Sequence, residues 1–404
     1  MKNAPVMAGF PYQKRVRKGY EDKITFPLNG RAPKGLYNYK LEFGAEIICE
    51  NSPSVVYQSE YSRKSDSLSR ASLLVQQENM KLERRAFDLE KISHDLHSLE
   101  FPRGLYVGDD IAVSLFNGRH DAHNIYRHEG AYTLGFVHRG HGKIFTDFGL
   151  LSYEKGDFFF IPRGVTYAFL EERDAFILLY ECSSRIMRPS HYWVDGYPFS
   201  PAAFEIAEPV PLADIFRGPY HFVRVKKHVG REACLWYPFS PFTAVAWEGD
   251  LYPFVLHLKD LRALSSADFH LDPKALTIFV TEDEGASVQA FLPRWGHSLP
   301  YPHQNYVTEL LFNHRGYNVR PEIQDGCITL HPPGTYHGPD IRALDKQRTE
   351  DPPKPENLPW LDQVAIMLET KSSLVVLPAA EGCEIKDYEI SWYRQWREIQ
   401  KEKK

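Results

Sequence analysis

At 404 residues the chain exceeds the roughly 250 to 300 at which a single hydrophobic core stops growing, so two core-bearing units are expected. Hydrophobic residues at 43% and charged residues at 25% match ordinary globular usage, which argues against a disordered or membrane-dominated chain. A net charge of -5, with Lys and Arg scattered among acids, leaves no basic stripe to neutralise nucleic-acid phosphates. The five cysteines are widely spaced and form no CxxC pair, so they read as reduced thiols and favour a cytoplasmic location. The segment MKNAPVMAGFPYQKRVRKGY lacks an apolar targeting core, and no run of 18 apolar residues exists to span a bilayer, so no membrane partner is expected. Aromatics at 14% and 29 prolines suit short twisted strands and tight turns better than long helices.

The first block, residues 1–100, divides in two. Pieces such as KITFPL, LYNYKLEF, AEIICE and SVVYQSEY predict an arm or small sheet laid on a larger body. From Ser65 to Glu100 no Gly or Pro intervenes, and Leu68, Val75, Leu82, Leu89 and Leu96 recur every seventh residue, which predicts one long amphipathic helix. Residues 101–191 hold repeated apolar runs with Gly or Asp at the turns (IAVSLF, AYTLGFVHRGHGKIFTDFG, AFILLYEC) and predict an antiparallel β unit. Residues 192–220 are rich in Pro and weakly periodic, as a linker would be. Residues 221–387 supply a second set of strands, from FVRVKKH to SLVVLP. Residues 388–404, with Trp392, Tyr393 and Trp396, form a closing helix or tail.

The chemistry concentrates in residues 293–340, which carry five of the seventeen histidines in 48 residues. His303 and Glu309 stand an even six positions apart, so on one strand, or at the ends of a bent one, they face the same side. His337 follows after CITLHP and the turn PPGTY, far enough along for a hairpin to return it beside them. Two imidazoles and a carboxylate leave coordination sites open, as non-haem iron(II) oxygenases need, although the same donors accept Mn, Zn or Ni. Three such residues can equally be hydrogen-bonded strand residues, and the spacing by itself does not decide.

In the first β unit, GDFFFIPRGVTYAF resembles the second motif of cupins. A metal-holding cupin carries histidines around it. Here His138 and His141 precede it, whereas Tyr167 and Phe169 occupy the downstream place, so this unit reads as a barrel without metal, a second metal site being the alternative.

PRWG, YPHQN, TEL, HRG, LHP and HGPD follow one another in an order and spacing that closely resembles the active-site block of the homogentisate 1,2-dioxygenase family. SPFTAVAWEGDLYPF, FHLDPKALTIFVTE, IMLETKSSLVVLP and WYRQW are also similar to family segments, so the likeness covers about residues 200 to 400 well and the earlier part loosely. It implies a mainly β fold of two cupin-like jelly-roll halves, with Fe(II) held by His303, Glu309 and His337. By the same resemblance His270 is an acid/base beside the substrate, and His331 hydrogen-bonds a substrate hydroxyl or a bound oxygen species. Tyr317, Asn318, His337 and Arg315 complete the substrate site, Arg315 either meeting a carboxylate or pairing with Glu309 or Asp325.

The implied reaction converts homogentisate and dioxygen to maleylacetoacetate in tyrosine and phenylalanine catabolism, in a homo-oligomer built as a trimer or hexamer. Two positions depart from the family. Asn318 stands where the family has a tyrosine that touches the substrate carboxylate, with Tyr317 one place earlier, and Tyr336 replaces the proline before the last ligand. Another hydroquinone or an aminophenol is therefore an alternative substrate, and a bicupin that binds a metal or ligand without turnover is the alternative outside enzymes.

Overall fold

Phe158 and Phe159 show how the chain is layered. Successive strand residues point to opposite faces, and here both faces are covered. The computed structural model describes residues 10–34, 36–41, 45–50, 57–59, 82–92, 102–118, 124–170, 175–189, 203–226, 232–263, 275–296, 302–316, 320, 322–349, 357 and 359–402. Phe159 meets Phe169 of the strand Thr166–Leu170 at 5.8 Å, on one side. Phe158 meets Phe279 of the strand Ala275–Thr281 at 5.8 Å, on the other.

The strand bearing them, Asp157–Ile161, belongs to an eight-stranded antiparallel sheet. Within it Asp157–Ile161, Tyr132–Arg139, Ala175–Cys182, Ile111–Gly118 and Arg103–Val107 lie side by side. Because it is covered on both faces, its central strand AFILLYEC is buried at every position and reads as a continuous apolar run, not an alternating one. One neighbour is a seven-stranded sheet containing Gly142–Thr146, Gly149–Tyr153, Thr166–Leu170 and Ile125–His128. The other is a second seven-stranded sheet containing Ala275–Thr281, Ala286–Phe291, Gln363–Thr370, Thr308–Gly316 and Cys327–His331. The protein is mainly β, and its folded order is that of packed jelly-roll sheets.

Pairing crosses the division expected near residue 200. Phe254–His257 pairs with Asp157–Ile161, and Val375–Val376 with Arg103–Val107. His221–Lys226 runs parallel to Ile125–His128. Within the expected linker, Phe204–Ile206 forms an edge strand on Phe254–His257. Gln13–Val16, Ala45–Cys49 and Tyr37–Leu41 join Ala244–Gly249 in a four-stranded sheet, where the indole of Trp247 is fully buried and donates to the Phe148 carbonyl. At the other end, Ser391–Glu402 is a helix lying against the helix Ile341–Thr349 through Arg342, Glu398 and Glu402. Among the described residues no helix is long and apolar enough to cross a membrane.

The long helix expected from Ser65 to Glu100 is corrected where the chain is described. Arg85–Asp88 is a strand on the edge of Cys327–His331, followed by a 3-10 turn at Leu89–Lys91, while residues 65–81 and 93–100 of that span lie outside the described residues. A seven-residue spacing does not by itself fix a helix: of the heptad positions described, Leu82 is exposed and Leu89 is buried in the 3-10 turn. Ala86, Phe87 and Leu89 are fully buried there, and Arg85 forks onto the Glu384 carboxylate at 2.6 and 2.8 Å.

His138 and His141 are also placed. His141 is exposed, whereas His138 is buried at the seam between the eight-stranded sheet and the sheet behind it. Its Nδ1 lies 2.9 Å from Nδ1 of buried His314, with Phe136, Phe176 and Phe312 around the pair. Burial holds both imidazoles well below their usual range; Glu90 pulls His138 the other way, while Arg139, Lys155 and Arg315 add to the lowering. Since the unfolded chain binds protons at these histidines below about pH 6.5 and the folded chain does not, the stability they contribute is present above that pH and lost as pH falls. Denaturant unfolding should therefore show stability dropping between pH 7 and 5. The slope in His314→Phe should be shallower than in the unmodified chain by up to about 1.4 kcal/mol per pH unit. Identical slopes in the two proteins would refute the buried neutral pair.

Candidate metal centre

The strand Thr308–Gly316 places Glu309 near its start, directly opposite His331 at the end of Cys327–His331. After His331 the sequence PPGT cannot continue a ladder, because proline lacks the N–H. Gly334 takes a positive φ of 76° in the turn, where the Thr335 N–H donates to the Pro332 carbonyl. The chain thus doubles back, and His337 meets His303 in an isolated antiparallel bridge with each residue donating its N–H to the other's carbonyl at 2.9 Å.

The expected convergence of His303, Glu309 and His337 is present, and one donor atom of each lies within 4.8 Å of the others. It arises from this bridge rather than from the even spacing of 303 and 309, since residues 304–307 are not strand. Glu309 and His337 are buried, and His303 is partly exposed, so the cluster opens on the His303 side.

The hydrogen bonds identify which atoms face inward. His337 Nδ1 sits 2.8 Å from the Thr335 carbonyl, which can only accept, so Nδ1 carries the proton and Nε2 presents its lone pair. That lone pair faces Glu309 Oε2 at 3.2 Å. Two acceptors at this distance need a cation between them, whether a proton or a metal ion. Asn305 Nδ2 donates to the same Oε2 at 2.9 Å, while the other oxygen, Oε1, is 2.9 Å from His331 Nδ1. Burial by itself would raise the Glu309 carboxyl, but the neighbouring imidazoles of His331 and His337 outweigh it and hold it well below the usual range. Burial pushes His331 down to about 3, against an opposing pull from Glu309. The imidazole planes of His331 and His337 stack at 4.1 Å.

Of the other expected site residues, Arg315 pairs with Asp362 at 2.6 Å, while Asp325 accepts from Asn313 and from the Gly316 N–H. The bend there requires glycine: Gly316 has φ 88°, and a Cβ would stand 1.7 Å from the Asp362 carbonyl. His270, Tyr317 and Asn318 lie outside the described residues. Tyr336, at the departure before His337, is exposed, as is Tyr306. Sequence reasoning passed over Asn305, Arg320 and Tyr388. Asn305 had a signal in YPHQN, whereas Arg320 and Tyr388 are separated by 68 residues and had none.

A buried cluster of two imidazoles and one carboxylate, open on one side and mounted at the end of a jelly-roll sheet, has the donor set of the oxygen-activating metalloenzymes. The model for the C-terminal part of homogentisate 1,2-dioxygenase matches residues 261–403. A Saccharolobus solfataricus protein provisionally named a dioxygenase is 29% identical over 72% of this chain and 76% of its own length. The homogentisate 1,2-dioxygenases of Mus musculus and Homo sapiens are 25% and 24% identical, covering 78% and 74% of this chain and 75% and 70% of theirs. Solved structures align loosely: a cupin barrel protein from Leptotrichia buccalis has a TM-score of 0.33 at 10% identity, covering 72% of this chain and 95% of its own. Over residues 261–403 the chain is similar to homogentisate 1,2-dioxygenases, and it is an oxygenase.

Replacing His303 or His337 with Ala removes a donor from the cluster. Either variant, purified without oxygen, should retain at least tenfold less metal than the unmodified chain by elemental analysis, the upper range expected for loss of a direct ligand exceeding the ~10- to 100-fold of outer partners. Full metal occupancy in both would dissolve the proposed ligand set.

Proposed function

We propose that the chain is an Fe(II)-dependent, ring-cleaving dioxygenase of the extradiol type, with homogentisate as its first candidate substrate and maleylacetoacetate as product. The observation that carries this reading is the pair of facing acceptors, His337 Nε2 and Glu309 Oε2 at 3.2 Å, which calls for a cation where His303 also reaches. Such a donor set suits iron(II) with room left for a chelating aromatic and dioxygen. Bound there, Fe(II) supplies the electron transfer between ring and oxygen and makes a coordinated phenol more acidic.

The residues of the chain supply the rest. Glu309 partly neutralises the ion, and His303 and His337 fix its position through their backbone bridge. The substrate enters on the His303 side, where the cluster is open. In this reading His270 takes the phenolic proton, because an imidazole titrates near neutral pH. Proximity does the remaining work: the ring and dioxygen meet already oriented, away from bulk water. The reading extends to a cytoplasmic role in tyrosine and phenylalanine catabolism and to a homo-oligomer, as the resemblance to homogentisate 1,2-dioxygenases supports.

One observation favours a second substrate. Tyr336, exposed and adjacent to His337, introduces a phenol where the family has proline, and Asn318 removes another from the carboxylate end. A related hydroquinone or an aminophenol is the alternative on the same iron site.

Oxygen uptake by Fe(II)-loaded protein, measured on homogentisate beside a panel of hydroquinones and aminophenols, tests both. Uptake on homogentisate with a kcat/KM at least tenfold above the others supports the first reading, and a preference elsewhere selects the second. No uptake with any diphenol, at full iron loading, would leave a non-catalytic metal-binding bicupin in their place.

A further inference from the structure

We propose that Arg320 and Tyr388 set the tautomer of His331, and that His331 is thereby a strut for the Glu309 carboxylate and makes no contact with substrate. This rests on the metal site proposed above. Arg320 Nη1 lies 3.3 Å from His331 Nε2 and 2.8 Å from the Tyr388 hydroxyl, with all three side chains buried. A guanidinium only donates. His331 Nε2 therefore accepts, the ring proton resides on Nδ1, and Nδ1–H donates to Glu309 Oε1 at 2.9 Å. Tyr388 accepts from the same guanidinium nitrogen and keeps it in place.

Two consequences follow from the geometry. Both nitrogens of His331 are committed, and its side chain has no exposed surface, so it has neither a free lone pair nor a free proton to offer a substrate hydroxyl. Glu309 is divided: Oε1 is tied to His331, and Oε2, steadied by Asn305, is the oxygen turned toward His337. A carboxylate pinned in this way presents one oxygen to an ion and keeps neighbouring positions open for other ligands. Outer partners of this kind orient metal ligands and tune affinity.

Tyr388 also ties the site to the end of the chain. It precedes the helix Ser391–Glu402, and Arg84 beside it holds the Glu389 carbonyl and the Ser391 hydroxyl. The positioning path runs from this C-terminal anchor through Arg320 and His331 to Glu309.

The test uses the full chain in two measurements. First, nitrogen NMR of imidazole-labelled, metal-free protein, with the His331 signal assigned through His331→Asn, should show a neutral ring protonated at Nδ1. Second, Co(II) titration followed by visible absorption should show affinity about 10- to 100-fold weaker in Arg320→Met, with partial recovery in Arg320→Lys, which keeps a donor. In Arg320→Met the His331 signal should also move toward the Nε2 tautomer. A His331 protonated at Nε2 in the unmodified chain, or Arg320→Met with unchanged Co(II) affinity and His331 signal, overturns the proposal. If Arg320→Met fails to fold, the spectrum of the unmodified chain decides. If the unmodified chain binds no Co(II), the metal reading fails, while the nitrogen spectrum still settles the tautomer.

Discussion

Two backbone hydrogen bonds, each 2.9 Å, join His303 to His337, and a third runs from the Gly334 N–H to the Asn305 carbonyl between the same two segments. The arrangement of the candidate metal centre depends on this bridge. It brings the His337 ring against Glu309, lets the Thr335 carbonyl choose its tautomer, and leaves His303 at the open edge. Without it His337 would be a turn residue after PPGT. A site built this way takes its precision from main-chain geometry, which has few soft degrees of freedom.

Around that bridge each polar group has a direction forced by a partner that can only donate or only accept. The Thr335 carbonyl turns the His337 lone pair inward, and the Arg320 guanidinium turns the His331 proton toward Glu309. Two histidines six residues apart in sequence thus present opposite characters to the same carboxylate. Such a network is worth holding rigid, since a buried acceptor left facing another acceptor is costly. The layered sheets supply the rigidity: Glu309 and His331 sit on adjacent strands of a sheet whose inner face packs through Phe312 and Phe279 on the eight-stranded sheet.

Much of this was legible in the residues. Strand segments such as AFILLYEC and DFFFI declare themselves by apolar runs too short for helices and bounded by turn residues, because burial needs are written locally. The ordered block from PRWG to HGPD pointed to His303, Glu309 and His337 through its resemblance to the homogentisate 1,2-dioxygenase family, and the fold brings those three side chains together. The heptad from Leu68 to Leu96 misled, because a seven-residue spacing does not fix a helix: Leu82 is exposed and Leu89 is buried in a 3-10 turn. At Arg85–Asp88 the partner is the open edge of Cys327–His331, and edge pairing decided the outcome. Arg315 is a similar case, since its carboxylate Asp362 comes from the neighbouring strand's approach, 47 residues away.

The sequence by itself determined the mainly β character of the chain and pointed to the side chains that the fold gathers at His303, Glu309 and His337. These follow from side-chain chemistry and short-range periodicity, which need no knowledge of distant segments. Tertiary structure alone decided that strands of the two halves complete one another's sheets and that His138 meets His314. It also decided which nitrogen of each histidine carries the proton. Those outcomes depend on backbone pairing and hydrogen bonds between residues tens to hundreds of positions apart, such as Arg320 with Tyr388, and pairing of that range is a property of the fold rather than of any local stretch.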